Sequence, residues 1–328
     1  MKQLSPLQIK LLHRLGDGKC HSGSDLGEFL QITRTAIWKQ ISQLTAWGLA
    51  IKRIPQRGYQ LLTPLILLNE DLIRSRLNDH SVSTAIDFHL AAELDSTNSH
   101  LKSLPLTHPL TVCCAEKQTQ GRGRFGRHWS SPFGDNIYFS LRCEWNQCLS
   151  QLSGLSLVVS LALLHCLKCN HIAEDIGIKW PNDLLWQNRK LAGVLIEVSA
   201  ESNGNAQLII GIGINVNSSA KKESLSDKPW CSLYDITGHY LDRNRLIADL
   251  IVSLNQYLEQ FKEEGFKGFR QQWLDVDLLK GQDITVSQPT GTIHGQALGV
   301  NDAGQLCLMD SQGHKHFLSS GDASLSAM

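Results

Sequence analysis

Three glycines alternate with three arginines in residues 117–129, KQTQGRGRFGRHW. Gly121, Gly123 and Gly126 let the backbone approach a ligand with no Cβ in the way. Arg122, Arg124 and Arg127 set guanidinium groups beside them, suited to bidentate binding of phosphate or carboxylate oxygens. Together they read as an anion-binding loop, with an inert basic surface loop as the competing reading. The spacing also satisfies G-x-G-x-x-G, and the apolar run 110–115 precedes it as a dinucleotide-fold strand would. Such a turn must open a helix, however, and Ser130-Ser131-Pro132-Phe133-Gly134 does not, while residues 136–143 read as another strand. The expectation is strand, loop, strand, with the loop lying over a nucleotide's phosphates.

Other stretches carry chemistry of the same kind. Lys179-Trp180-Pro181-Asn182-Asp183 follows a short apolar run and holds a lysine and an aspartate across a stiff Trp-Pro turn. Lys179 would face a phosphate or carboxylate, and Asp183 a metal or a lysine, with a structural salt bridge as the alternative. Asp95-Ser96-Thr97-Asn98 opens an apolar-periodic stretch, with Ser96 or Thr97 as helix cap and hydroxyls free for a ligand's polar end. Residues 190–197 and 206–215 read as two strands joined through Ser202-Asn203-Gly204-Asn205, a strong hairpin signal. Gly193, Gly211 and Gly213 inside those strands weaken the ladder unless a ligand or backbone approaches closely there. They read as a ligand floor.

Elements that must position these residues follow from the pattern of the whole chain. The 328 residues carry no formal net charge, but 1–62 hold nine Lys/Arg against three Asp/Glu, leaving 22 against 28 in the remainder. A basic head on an acidic body points to a nucleic-acid module. Ser5-Pro6 starts a first helix with Ile9, Leu12 and His13 on one face. A second, again serine-capped, runs over 24–30, and a third is capped by Thr33 with Ile37, Ile41 and Leu44 buried. That leaves Arg34, Thr35, Lys39 and Ser42 outward, as in a helix-turn-helix, while Lys52, Arg53 and Arg57 surround a hairpin wing able to reach phosphates. Trp38 and Trp47 are expected in the core. Thr63-Pro64 marks the boundary.

Nine cysteines in irregular positions do not form a disulfide framework. Cys166 and Cys169, flanked by His165 and His171, lack a second ligand pair, so no metal site is expected. No signal peptide or membrane span is evident, and a cytoplasmic location is expected. Residues 242–265 form a long amphipathic helix with Leu246, Leu250, Leu254, Leu258 and Phe261 on one stripe. From Gln282 short strands and turns suggest a small all-β barrel, in which nothing looks catalytic.

The ensemble DSTN, QTQGRGRFGRHW, KWPND, KLAGVLIE and GIGINVN, in this order behind a winged helix-turn-helix, closely resembles the bifunctional biotin protein ligases that double as biotin operon repressors. The resemblance spans essentially the whole chain. It implies an α+β architecture: a winged helix-turn-helix over 1–64, a class II synthetase-like mixed-sheet ligase domain over 65–274, and an SH3-like domain over 275–328. It further implies that biotin and ATP, with Mg²⁺, form biotinyl-5′-AMP, and that biotin passes to a lysine of biotin carboxyl carrier protein. The adenylate would also act as corepressor, favouring a homodimer on operator DNA.

By that resemblance Ser96, Thr97, Asn98 and Gln118 line the biotin pocket, and Gly121, Arg122, Gly123 and Arg124 close over biotin and phosphate. Lys179 contacts the reacting carboxylate and phosphate, Gly193 and Gly211 to Asn215 lie beside the ligand, and Trp230 packs on adenine. Asp183 is the candidate partner of the acceptor lysine. Phe125 and His128 depart from a more basic form of the loop. The dimer surface is expected on edge strands around Gln207 to Gly211. A lipoate-type ligase and a ligand-sensing repressor with a dead ligase site are the rivals; GRGR with KWPND, and the joint presence of Arg122, Arg124 and Lys179, argue against them.

Overall fold

The computed structural model describes residues 1–80, 85–105, 108–172, 175–200, 206–220, 226, 228–289 and 291–325. The expected Asn-Gly hairpin at 202–205 lies outside them.

The N-terminal segment folds as α1 (Pro6–Leu15), α2 (Gly23–Leu30), α3 (Arg34–Ala46) and the hairpin β1 (Ile51–Ile54)–β2 (Gly58–Leu61). Side-chain oxygens satisfy the first free N–H groups of each helix, as a stable start requires. Ser5 and Gln8 form a reciprocal capping box on α1, Ser22 accepts from Asp25 N on α2, and Thr33 accepts from Ala36 N on α3. The second cap is therefore Ser22, and the helix starts at Gly23, one residue before the start read at 24. Helix α1 also turns a different face inward: Leu11, Leu12 and Leu15 are buried, while Ile9 and His13 are exposed. Leu11 and Leu15 meet Leu26, Ile37, Ile41 and Leu44 in a core of their own. Trp47 stacks on Phe133, ring centroids 5.6 Å apart, and so ties α3 to the segment after the glycine-arginine loop. Trp38 reverses the expectation. Its ring points outward and is 53% exposed, because Ile37, Ile41 and Leu44 already fill the buried stripe.

The central part contains α4 (Glu70–Asp79), β3 (Ile86–Ala91), α5 (Thr97–Ser103), β4 (Leu110–Ala115), β5 (Ile137–Trp145), α6 (Leu155–Cys169), β6 (Ile176–Lys179), β7 (Asp183–Trp186), β8 (Arg189–Ala200), β9 (Ala206–Ile214), α7 (Leu233–Thr237), α8 (Arg243–Glu264) and α9 (Arg270–Leu274). Seven strands form one mixed sheet in the order β3-β4-β5-β9-β8-β7-β6, parallel at β3–β4 and antiparallel elsewhere. Helices α6 and α8 bury their apolar sides against one face, with the stripe of Leu246, Leu250, Leu254, Leu258 and Phe261 inward. The short α5 covers a smaller cluster of Leu94, Leu101, Cys113 and Ile209 on the sheet. Strand β9 pairs with β5 on one side and β8 on the other, so Gln207 to Gly211 lie mid-sheet, not on an edge. Its runs of apolar residues fit a strand covered on both faces. Among the described residues, β8 beyond Gly193 has β9 alone as ladder partner.

The C-terminal part is a five-stranded antiparallel sheet, ordered β13-β12-β11-β10-β14, from β10 (Asp283–Gln288), β11 (Gly291–Val300), β12 (Leu306–Met309), β13 (Lys315–Leu318) and β14 (Asp322–Leu325). Ile284, Val286 and Leu306 join the same apolar cluster as α6 and α8. A buried ion pair, Arg243 to Glu116 at 2.7 Å, fixes the segment between the first two parts: Glu116 accepts from Leu68 N, and Arg243 donates to Ile66 O.

Candidate active site

Strand β4 delivers the chain to the glycine-arginine loop and β5 carries it away, as the strand–loop–strand reading requires. Between them a short 3-10 turn, Arg124–Gly126, reverses direction, with Phe125 at φ 55° and Gly126 at φ 70° in the left-handed region. Glycine suits that position; Phe125 is unusual there, and its exposed ring lies under the Arg124 guanidinium at 4.9 Å. The loop roofs a cavity of about 300 Å³, at the small end of ligand pockets.

One wall is polar and tightly connected. Ser96 occupies the N-cap of α5 without making a cap hydrogen bond. Thr97 is not free for a ligand as its sequence suggests, because its N–H and hydroxyl both donate to Gln118 Oε1, at 2.9 and 3.2 Å. Gln118 Nε2 in turn donates to Ser131 Oγ. Ser140 Oγ, fully buried on β5, lies 2.6 Å from both Thr97 Oγ1 and Asn98 Oδ1. Asn98 Nδ2 donates to Glu197 Oε2 at 2.8 Å, and Arg122 reaches the same oxygen at 2.6 Å.

The floor is strands β8 and β9, where the glycines have a definite use. A Cβ on Gly211 would stand 2.4 Å from Asn98 Oδ1, and one on Gly213 would stand 2.5 Å from the Trp129 ring. Side chains of the protein itself occupy the space these residues leave. Both still line the cavity, as does Gly193.

The opposite wall is cationic. Lys179 ends β6, and Trp180-Pro181, joined by a cis peptide bond, turns the chain into β7. Trp180 is buried and donates to Gly304 O of the C-terminal part at 3.3 Å. Asn182 Oδ1 accepts from Arg124 at 3.3 Å, while its amide donates to Val194 O. Burial lowers the pKa of Lys179 below its ordinary value, with Asp183 and Asp322 opposing the shift. Burial likewise lowers that of Arg124. Asp183 pairs with Lys190 Nζ at 2.7 Å, and the same ammonium lies 5.4 Å from the Trp129 ring centroid.

Of the residues singled out by sequence, Ser96, Thr97, Asn98, Gln118, Arg122, Gly123, Arg124, Lys179, Asp183, Gly193, Gly211, Gly213, Asn215 and Trp230 line this one cavity. Gly121 stands just behind it, against Trp129 O and Ser131 Oγ. Asn215 also braces the strand ends, donating to Cys231 O and Lys190 O. Sequence spacing does not single out Lys190, Trp129, Ser140 or Glu197, although Lys190 opens the KLAG stretch and Trp129 closes the loop motif. Asp322 was unforeseeable from spacing. It sits on β14, in the part where nothing looked catalytic, yet it lines the cavity and holds Arg127, with Lys228 at 3.7 Å.

Magnesium, expected with ATP, would find two carboxylates lining the cavity, Asp183 and Asp322, each already facing a cation. No cluster of three or more metal-binding side chains suited to an ion occurs among the described residues. The donor set fits an ion carried on the phosphates better than a resident metal. Cys166 points into the core, its thiol donating to Leu246 O, away from Cys169.

The N-terminal part presents a second candidate surface. Arg34, Thr35 and Lys39 are exposed on α3, Arg53 on β1, and Arg57 in the turn of the hairpin.

Comparison with known proteins agrees with both surfaces. Residues 90–215 match the biotin/lipoate A/B protein ligase family and residues 7–60 an HTH domain. The chain is 36% identical over 301 residues to the bifunctional ligase/repressor BirA of Salmonella typhimurium, covering 92% of each. It is 29% identical to BirA of Bacillus subtilis, over 91% of this chain and 92% of that one. Among solved structures, a biotin protein ligase from Aquifex aeolicus in complex with biotin and ATP superposes with TM-score 0.62 at 31% identity, covering 74% of this chain and 99% of that one. Similarity at this level, along nearly the full length of both chains, means that the protein belongs to the bifunctional ligase/repressor branch of the biotin/lipoate protein ligases.

Proposed function

We propose that the cavity joins biotin to ATP as biotinyl-5′-AMP and passes the biotinyl group to a lysine of biotin carboxyl carrier protein. The observation that carries this reading is the convergence of the loop arginine Arg124 and the β6 lysine Lys179 on one small cavity whose other wall is a fixed polar network. A biotin carboxylate is already a nucleophile, so the first step needs no general base. It needs two anions brought together against their repulsion, and Arg122, Arg124, Lys179 and Lys190 supply the opposing charge. Magnesium bound on the phosphates would add to that charge. Ser96, Thr97, Asn98 and Gln118 form the polar end of the acyl pocket, Gly193, Gly211, Gly213 and Asn215 its floor, and Trp230 a flat apolar wall for the adenine. Gly121 and Gly123 let the loop close over the mixed anhydride and keep water from it. Asp183 faces a lysine already, which suits a carboxylate that later receives the acceptor lysine in place of Lys190.

The same reading gives the basic α3 and hairpin to operator DNA, with Arg34, Thr35, Lys39, Arg53 and Arg57 at the interface and the biotin operon as target. Two copies on a palindrome require a homodimer, and the open edge of β8 beyond Gly193 is the ladder that a second copy would extend. The carrier protein would compete for that edge. We place the domain boundaries at 1–64, 65–274 and 275–328 and read the last as SH3-like. No helix among the described residues is long and apolar enough to cross a membrane, and we assign the protein to the cytoplasm. The deciding experiment is pyrophosphate release dependent on both biotin and ATP. Wild type should show it and Lys179→Ala should lose it by about 10²-fold or more; release that survives the substitution removes Lys179 from the reaction.

A further inference from the structure

On α3 the outward residues Thr35, Trp38, Lys39 and Ser42 fall at i, i+3, i+4 and i+7 and form one stripe. Trp38 occupies its middle. Its ring enters none of the aromatic or cation–ring pairs of the described residues, whereas Trp47 of the same helical segment is stacked on Phe133. Phe29, another exposed ring of the N-terminal part, has the Arg14 guanidinium 5.5 Å from its centroid. Ser42 is not free to read a ligand, because its hydroxyl donates to Trp38 O at 2.9 Å. The stripe therefore offers a threonine, a bare indole and a lysine. Arg34 precedes it on α3, and Lys52, Arg53 and Arg57 are exposed on the adjoining hairpin.

We infer that Trp38 is a specificity-determining residue of the operator interface, packing its indole on the 5-methyl group of a thymine in the major groove. The inference rests on the operator-binding reading given above. A duplex keeps its base faces stacked, so an indole entering the groove meets base edges only. The one apolar group those edges offer is the thymine methyl. Its cationic surroundings select a phosphate-lined partner over an apolar protein surface. Trp38 is also absent from the ligase cavity, so removing it tests DNA reading alone.

The test uses the full-length protein with biotin and ATP. Duplexes are selected from a randomised pool, and the tightest is remade with each thymine in turn replaced by deoxyuridine, which removes only the methyl. At fixed salt, wild type should lose about fivefold in affinity at one thymine per half-site, the low end of a single mismatch. Trp38→Ala should bind the thymine duplex about fivefold more weakly and show no difference between thymine and deoxyuridine there. Arg53→Ala should weaken both duplexes alike and keep the difference, as a phosphate contact does. Full discrimination by Trp38→Ala overturns the proposal, and so does a wild type indifferent to every deoxyuridine. Loss of ligand-dependent dimerisation in Trp38→Ala without DNA assigns the indole to a protein contact and also overturns it. If wild type selects no sequence at all, the operator reading itself fails, a result distinct from the others.

Discussion

Gly211→Ala tests whether the polar wall of the cavity is as rigid as its hydrogen bonds imply. The new Cβ would stand 2.4 Å from Asn98 Oδ1 and 3.0 Å from its Cγ and Nδ2, so reaching ordinary contact at 3.4 Å needs a retreat of about 1 Å. Asn98 has no slack for this: its amide donates to Glu197 at 2.8 Å, and its carbonyl accepts from Ser140 at 2.6 Å. Overpacking a filled site costs about 1–3 kcal/mol, and parting Asn98 from a charged acceptor costs a similar amount. A displacement of about 1 Å beside the reacting groups is worth on the order of 10²-fold in rate. We expect Gly211→Ala to lower adenylate formation by roughly that factor and to weaken biotin binding, measured by pyrophosphate release and titration calorimetry. Gly123→Ala is the control. Its Cβ would meet nothing nearer than Arg127 O at 3.5 Å, so stability should change by less than about 0.5 kcal/mol although Gly123 lies in the loop motif itself. Wild-type adenylation by Gly211→Ala would show that Asn98 can move aside and that the wall is not a fixed surface.

Two further predictions concern charge. In the role proposed for it Lys179 acts while protonated, and burial lowers its pKa below the usual lysine value, so the first half-reaction should decline with rising pH sooner than an ordinary lysine would dictate. Asp183 opposes that shift, so Asp183→Asn should move the alkaline limb of the single-turnover profile to lower pH; a limb that stays or moves up contradicts the assignment. Arg243→Ala leaves Glu116 buried without its counter-ion and frees Asn136 O, which should cost about 3–5 kcal/mol in urea unfolding, with partial recovery in Arg243→Met/Glu116→Gln.

Local signals carried much of this molecule. Thr33 with Ile37, Ile41 and Leu44 set the start and the buried face of α3, and the Ser-Ser-Pro-Phe-Gly segment ruled out a helix after the loop. Pairing across the sheet was not legible, since strand order depends on contacts between residues far apart in sequence. That is why Gln207 to Gly211 were expected on an edge and lie between β5 and β8. The same distance hid Asp322, almost 200 residues from the arginine it holds. Gly211 and Gly213 were recognised as points of close approach, but sequence could not tell a ligand from Asn98 and Trp129. Tryptophan is usually covered, so sequence points Trp38 inward, and only the completed apolar stripe shows that this one has no room inside.

The loop's three arginines each have a hydrogen-bond partner within the protein. Arg122 is held by Glu197 of β8, Arg124 by Asn182 of the Trp-Pro turn, and Arg127 by Asp322 of β14. An incoming anion therefore exchanges partners and does not meet free charges. Arg122 and Arg127 are about half exposed, and pairs of that kind contribute about 0–1 kcal/mol each, so the exchange is cheap in both directions. A buried pair such as Arg243–Glu116 would hold the loop fast instead. Glu197 gives the exchange a direction. It sits on the half of β8 that, among the described residues, pairs with β9 alone, and Asn98 of the pocket wall shares its oxygen. Drawing Arg122 onto a phosphate leaves that carboxylate to Asn98 alone and changes the charge of the open edge. If a second copy or a carrier protein docks on that edge as proposed, occupancy of the cavity alters the charge it meets there.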